Sequence, residues 1–462
     1  MLPVWTFFLT PEQFGVYEIA RLLTVLLTCI GALGLGAAAI KYAVDLPDGQ
    51  FRKLYGTLFS FQLIWLAFIF GAMELGGPHL LSLLSGRVTY APYGRIATAT
   101  AVLMSMTVMP LGVVVLRERV WTHVSLTALL AFTAAGTSAY LVIGAGNGAQ
   151  GLLLGDLAGA AALAVACLVI SRKNVSFSMD RDMLAEGLFF AFPLVSNYLA
   201  HQVLAVSDRF VIDVFHGSGA VGIYSIAYRF ASVLVMVNLA MNRSLTPIVN
   251  RSCRDLARGA GVRDEKRVRR GLGDSMMFFA TVVVVLGIIA IALSPELVRY
   301  IMASQYAASA SLTSWVILGA VMQGFSLVTV HVLLYHRRTG LLAGITVATA
   351  LLNILLNLIF VPAHGPLAAA VTTLACYAIL AVAVIATSLR YVRPLVRTGD
   401  ILAPGVLLLA SVPALSLLDG LEALPRLAAK TVVLSICVIF SYWRFRSWYA
   451  RGQPASTGGD DD

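Results

Sequence analysis

Four arginines stand inside or at the edges of long apolar stretches: Arg21, Arg209, Arg229 and Arg243. An ionisable side chain at mid-bilayer costs about 2.5–3.5 kcal/mol on the insertion scale, so such a residue points to function. Arginine offers a planar fork of donors that matches phosphate oxygens. Arg21 and Arg229 each lie about two turns into their helix, where they could take an anionic group. Arg243 follows Arg229 by 14 residues. At about 100° per residue that falls about 40° short of whole turns, so the two share a face, with Arg243 nearer the cytoplasmic entrance.

Acids and histidines accompany them. Glu18 precedes Arg21 by three residues on one helix face. It either neutralises that arginine or forms a proton or cation site. Asp208 and Arg209 sit near the outer end of a helix, where they tie helix ends together or gate. Asp156, His201 and His331 are polar outliers in apolar runs. Histidine titrates near neutral pH and can relay protons, or it can serve as hydrogen-bonded packing. Asn197, Asn238, Asn242, Gln323, Asn353 and Asn357 can bond sugars or join helices. Pro110, Pro193 and Pro247 are candidate kinks.

These residues need helices to hold them in lipid. The chain of 462 residues is 59% hydrophobic and 12% charged, with a mean hydropathy of +0.85. Soluble domains carry about 25% charged residues. The charges here cluster in short breaks between apolar runs of about 20 residues, the length that crosses the hydrocarbon core. Backbone groups in lipid must pair within the chain, and the period-2 alternation of a membrane barrel is missing, so the runs read as helices. Thirteen spans are expected, at 14–40, 54–74, 95–116, 122–145, 150–171, 185–212, 219–248, 271–293, 308–335, 341–361, 366–389, 400–418 and 427–443. Residues 1–10 read as the tail of one more, a first helix that is truncated.

The basic breaks hold most of the 33 Lys and Arg residues and alternate with poorly charged ones. That bias places the basic side and the C-terminus in the cytoplasm. It also accounts for the net charge of +10 without nucleic acid. The break Asn250–Arg270 reads as the longest loop, and the tail 444–462 as disordered at its polar end. Cys29, Cys167, Cys376 and Cys437 fall in apolar runs and Cys253 in a basic break, with no metal spacing or disulfide framework. The N-terminus lacks a basic n-region and a small-residue cleavage site, so no signal peptide is expected.

Two hexapeptides match at a shift of 207 residues: Gly15-Val16-Tyr17-Glu18-Ile19-Ala20 and Gly222-Ile223-Tyr224-Ser225-Ile226-Ala227. The turns at Asn147–Gly155 and His364–Ala370 echo each other at a similar shift. Six spans per period make the repeat parallel. The fold class expected is therefore all-α integral membrane, with two six-helix bundles related by a pseudo-two-fold axis along the membrane normal, plus two C-terminal helices. The divisions are 1–171, 185–390, 400–443 and the tail from 444.

Three blocks resemble a known family. Leu9-Thr10-Pro11-Glu12-Gln13-Phe14-Gly15-Val16-Tyr17 resembles the "L-G-P-E-x-Y-G-x-Y" entry to a second helix. Ser207-Asp208-Arg209-Phe210-Val211-Ile212 with Gly219-Ala220-Val221-Gly222-Ile223-Tyr224-Ser225-Ile226-Ala227-Tyr228-Arg229 is similar to a "D-R-hydrophobic … G-x-Y-S-x-A-Y" signature. Asn353-Ile354-Leu355-Leu356-Asn357 with Val361-Pro362-Ala363-His364-Gly365-Pro366-Leu367-Ala368-Ala369-Ala370 resembles an "N-I-x-L-N … I-P-x-x-G-x-x-G-A-A" block. Together they resemble the polysaccharide-export, or O-antigen flippase, branch of the multidrug/oligosaccharidyl-lipid/polysaccharide (MOP) exporter superfamily, from Leu9 to about Arg390. The chain departs from the pattern in its first helix and in alanines near Ala368.

The resemblance implies a flippase rather than an enzyme. Its substrate would be undecaprenyl-pyrophosphate-linked oligosaccharide, moved from the cytoplasmic to the periplasmic leaflet of a bacterial inner membrane for O-antigen, capsule or exopolysaccharide synthesis. Its partners would be that lipid-linked oligosaccharide, membrane lipids, and the polymerase and chain-length regulator of the pathway, with no cofactor. A cation-coupled small-molecule exporter or peptidoglycan-precursor flippase of the same superfamily is one alternative, though a drug-cation exporter calls for unpaired cavity acids. A membrane polymerase or glycosyltransferase is another. It needs a large outer loop with catalytic acids, and the longest outer break, Leu75–Gly94, offers no acid pair. No phosphate-cradling Gly loop or metal-spaced His and Cys set is evident.

Overall fold

The computed structural model describes residues 2–172, 179–258 and 262–392, together with 425, 429–436, 439–440 and 443. Every regular element among them is helical. In chain order these are α1 (Leu2–Phe8), α2 (Pro11–Ala32), α3 (Leu35–Asp45), α4 (Asp48–Leu84), α5 (Arg95–Leu116), α6 (Val120–Ala139), α7 (Gly148–Ser171), α8 (Arg181–His216), α9 (Ser218–Ala257), α10 (Val262–Ile301), α11 (Ala310–Tyr335) and α12 (Thr339–Ser388). Wide π turns at Tyr90–Gly94 and Tyr140–Gly144 and a 3-10 turn at Ser304–Ser309 join them.

Ten helical segments among the described residues are long and apolar enough to cross a membrane. The last, α12, is two helices meeting at Gly365, whose φ of 63° and ψ of −151° break the run between Pro362 and Pro366. The expected spans from 14–40 to 366–389 all fall on helices. The span 400–418, the tail 444–462 and Cys437 lie outside the described residues, whereas 429–436 is helical as expected. Two expected breaks change. The outer break Leu75–Gly94 is helical over 75–84, as the end of α4. The break Asn250–Arg270 is helical over 250–257 and 262–270, continuing α9 and α10. Lys, Arg and Glu are good helix formers, so charge ends the membrane run without ending the helix. The Glu265–Arg269 ion pair at 2.8 Å supports this extension at i,i+4 spacing.

The described chain separates into two compact units. One comprises 1–225, 302–306 and 346–369, and the other 226–301, 307–345 and 370–462. In the first unit, α2 opens with a capping box: Gln13 N donates to Thr10 Oγ1 at 3.3 Å and Thr10 N to Gln13 Oε1 at 3.2 Å. Pro11 follows at a position where a missing N–H costs nothing. The helix ends in two left-handed residues, Leu33 (φ 45°) and Gly34 (φ 65°), and α3 restarts beyond them. A Cβ on Gly34 would lie 3.0 Å from Val195 Cγ2 and 3.1 Å from Ala191 O, so the break lets α8 approach closely.

Small residues set the packing, as expected where lipid supplies no hydrophobic drive between helices. Gly151, Gly155 and Gly159 form one stripe on α7. A Cβ on Gly155 would overlap Ser138 Oγ, and one on Gly159 would lie 2.8 Å from Leu130 O, both on α6. Two buried hydroxyls of α5 are satisfied within their own helix: Ser105 donates to Ala101 O at 2.7 Å and Thr100 to Ile96 O at 2.8 Å. Pro110 and Pro247 lie inside α5 and α9. The side chain of Pro193 lies outside the described set.

In the second unit, polar side chains of α9 face α11. Asn238 Nδ2 donates to Ala320 O at 2.9 Å. His331 Nε2 meets Asn242 Oδ1 at 2.9 Å and Thr246 Oγ1 at 3.1 Å. Asn238, Asn242 and Thr246 recur every four residues, so these groups act as a hydrogen-bonded seam between two helices.

Candidate functional site: a cavity around Arg21

A cavity of about 670 Å³ lies in the first unit, walled mainly by apolar side chains of α2, α5, α6 and α8. Its polar lining includes Arg21, Thr24, Thr28, Asp156, Tyr198 and Gln202. Arg21 Nη1 is 3.5 Å from Glu18 Oε2. The glutamate side chain is 3% exposed and that of the arginine 38%, so the acid is buried behind the guanidinium while the arginine reaches open space. A charge-assisted contact of this kind holds the arginine in place without covering all its donors.

Asp156 enters from α7. Tyr17 Oη donates to its Oδ2 at 3.0 Å, tying α2 to α7 beside the arginine. Thr24 Oγ1 lies 3.2 Å from both Ala20 O and Ala97 O, and Thr28 Oγ1 donates to Thr24 O at 2.7 Å. On α8, Gln202 Nε2 donates to Tyr198 Oη at 3.2 Å. The cavity therefore presents one guanidinium, one carboxylate, hydroxyls and an amide within apolar walls. Such a set can take an anionic group together with hydroxyl-rich neighbours.

Of the residues singled out in the sequence, Arg21, Glu18 and Asp156 come together here. His201 is half-buried on α8 beside Gln202. Asp208 and Arg209 form a second, fully buried cluster. Tyr224 Oη donates to Asp208 Oδ2 at 2.7 Å, Arg209 Nη1 donates to Ala205 O at 3.0 Å, and the guanidinium lies 5.8 Å from the Tyr224 ring centre. Arg229, half-buried, and Arg243, exposed, belong to the second unit on α9. Among the described residues no group of three or more His, Cys, Asp or Glu side chains is placed to hold a metal ion.

Tyr17, Tyr198, Gln202, Thr24 and Thr28 were not singled out from the sequence. For Tyr17 a signal existed. It is the tyrosine of the first hexapeptide, and its partner at a shift of 207 is Tyr224. Each donates to an intramembrane aspartate, Asp156 and Asp208 respectively. The turn echo behaves alike, since Gly148 and Gly365 both take positive φ, 51° and 63°.

A family model described as polysaccharide biosynthesis protein matches residues 5–311. The chain belongs to this family. Solved structures agree on the fold. The lipid II flippase MurJ in an inward closed conformation superposes with a TM-score of 0.73 at 13% identity, covering 95% of this chain and 96% of that one. A multidrug resistance MATE transporter of the MOP superfamily, inward-facing, gives 0.69 at 13% identity, with 84% and 92% covered. The Vibrio cholerae MATE transporter VcmN gives 0.54 in its bent form at 16% identity, with 85% and 97% covered. A comparison with curated proteins finds no match. The family member thus shares the all-α fold of these solved transporter structures, as its sequence motifs lead one to expect.

Proposed function

We propose that this polysaccharide-biosynthesis family member is a flippase. It moves an undecaprenyl-pyrophosphate-linked oligosaccharide from the cytoplasmic to the periplasmic leaflet of a bacterial inner membrane by alternating access, with its C-terminus in the cytoplasm. The observation that supports this best is Arg21, held by buried Glu18 at the edge of a large intramembrane cavity. A pyrophosphate cannot cross hydrocarbon unaided, and a guanidinium in a low-dielectric cavity replaces part of its hydration. The hydroxyl and amide groups on the walls suit sugars.

In this reading Arg21, Arg229 and Arg243 serve the anionic headgroup at successive stages. Glu18, Asp156 and His201 are candidates for coupling, and Asp208 with Arg209 for gating at the outer helix ends. A second reading, a cation-coupled exporter of small molecules, draws on Asp156 in the cavity lining and on Glu18 buried behind Arg21.

The test is deletion of the gene followed by complementation with wild type, Arg21→Ala and Arg229→Ala, with membrane insertion checked for each. Lipid-linked oligosaccharide on each leaflet and surface polymer are then measured. Accumulation on the cytoplasmic leaflet with loss of surface polymer, rescued by wild type only, is the expected result. Unchanged pools beside altered drug tolerance would favour the exporter. Normal export by well-inserted Arg21→Ala and Arg229→Ala proteins would remove both residues from the mechanism.

A further inference from the structure

Beside the Arg21 cavity lies a concavity of different character. It measures about 470 Å³ and is lined by Leu33, Leu188, Phe189, Phe192 and Val195. All five are apolar. Phe189 is 86% exposed and Phe192 73%, on a helix otherwise packed against α2, α3 and α4. Val195 lines both this groove and the polar cavity, and Ala32 and Gly34 line the cavity on either side of Leu33, which lines the groove. The wall between the two spaces is thus one residue thick at the helix break.

That break is costly. Leu33 holds φ at 45°, in the left-handed region that disfavours a residue with a Cβ. Depth adds a second point. Leu33 follows Pro11 by 22 residues and Phe192 follows Arg181 by 11. At 1.5 Å per residue these are about 33 Å from the outer end of α2 and about 17 Å from the cytoplasmic end of α8. With the basic side in the cytoplasm, the groove lies in the cytoplasmic half of the bilayer, the leaflet from which the substrate comes.

We infer that this groove holds the first isoprene units of the lipid carrier while its pyrophosphate occupies the Arg21 cavity. The inference rests on the flippase reading above. A headgroup and a hydrocarbon chain joined by one bond need a polar and an apolar space separated by a thin wall, and Leu33, Gly34 and Val195 form such a wall. The break at Leu33 then has a use, because an unbroken α2 would not place Leu33 and Gly34 against α8 in this way. The remaining isoprene units stay in the bilayer.

The test uses the full-length chain in nanodiscs of phosphatidylglycerol and phosphatidylethanolamine. A photoreactive amino acid, p-benzoylphenylalanine, replaces Phe192 in one variant and Phe132 in another. Phe132 is 79% exposed on α6 and serves as the lipid-facing control. Each variant is checked for a monodisperse elution profile and irradiated with radiolabelled undecaprenyl diphosphate. Phe189 is the alternative position if the Phe192 variant aggregates.

Labelling at 192 about tenfold above 132, displaced by unlabelled undecaprenyl diphosphate and not by added phosphatidylglycerol, is expected. Equal labelling at the two positions, or displacement by phosphatidylglycerol, would mean ordinary lipid contact and overturn the inference. Adding Arg21→Ala separates the two claims. Labelling at 192 that survives this substitution keeps the groove and removes the headgroup site. Background labelling at 192 and 189, beside failed export by Arg21→Ala, removes the groove and keeps the headgroup site.

Discussion

Gly15 and Gly222 cross with no room for a side chain on either. A Cβ on Gly15 would overlap the carbonyl oxygen of Ser218, and a Cβ on Gly222 that of Pro11. The contact is reciprocal under the 207-residue shift, because Pro11 and Gly15 map onto Ser218 and Gly222. Each Cβ would also lie close to the other glycine's amide nitrogen, at 3.1 and 3.2 Å. The two copies of the repeated hexapeptide therefore meet each other about a local two-fold axis. Gly222→Ala must push two backbones apart, and overpacking of this kind costs about 1–3 kcal/mol. Thermal unfolding in detergent should show that loss. Gly271→Ala, in open space on α10, should stay within about 1 kcal/mol of wild type, on the stabilising side. Equal behaviour of the two variants would rule out a tight crossing.

Asp156 shares the cavity with Arg21, so it offsets the charge offered to an anion. Asp156→Asn keeps the shape and an acceptor for Tyr17 while removing that offset. Binding of farnesyl diphosphate, a short-chain anionic probe, should strengthen about threefold at low salt and less as salt rises. Tyr17→Phe removes the donor at 3.0 Å and should leave probe affinity within about threefold of wild type. Unchanged affinity in Asp156→Asn would show that Asp156 does not offset the charge offered at the Arg21 cavity.

Much of this arrangement was legible in the sequence, for reasons that differ by element. Spans were legible because hydropathy over 20 residues responds to the membrane itself. The hexapeptide repeat was legible as a pattern, yet that Gly15 meets Gly222 is a long-range fact that spacing alone does not carry. The pairing of Tyr17 with Asp156 spans 139 residues and was invisible for the same reason. The break at Leu33–Gly34 escaped notice because no proline marks it. It accompanies the close approach of α8, a tertiary contact that local sequence does not carry. The extension of α9 and α10 through the basic break was missed because hydropathy reports where lipid ends and says nothing of where a helix ends.

Lys53 and Asp180 join the start of α4 to the N-cap of α8, with Nζ to Oδ2 at 2.7 Å. The Lys53 ammonium, together with the Met183 amide, holds the Asp180 carboxyl below the usual carboxylate range. A carboxylate with a depressed folded-state pKa contributes stability above its unfolded-state pKa and loses it as pH falls through the folded value. The pair is solvent-exposed, so the contribution is small and screened by salt. Unfolding curves for wild type and Asp180→Asn should therefore differ at neutral pH and converge as the medium becomes strongly acidic. An offset that does not change with pH would mean that the substitution acts through cap geometry and not through the charge of Asp180.

Glu296 on α10 carries a buried ion pair of the second unit. Lys430 Nζ donates to its Oε1 at 2.8 Å with both side chains under 10% exposed, and Arg299 Nη1 approaches the same oxygen at 3.5 Å. Lys430 comes from the helical stretch 429–436, so this contact binds a C-terminal helix to α10. Removing one partner of a buried pair leaves an uncompensated charge and costs about 3–5 kcal/mol, whereas replacing the pair by apolar groups of similar volume is often neutral. Lys430→Met should therefore lower the thermal midpoint in detergent clearly, and Lys430→Met with Glu296→Met should recover part of the loss. A double variant no better than Lys430→Met would show that the acid is needed for Arg299 as much as for Lys430. A Lys430→Met protein as stable as wild type would show that the C-terminal helix is held by packing and not by this pair.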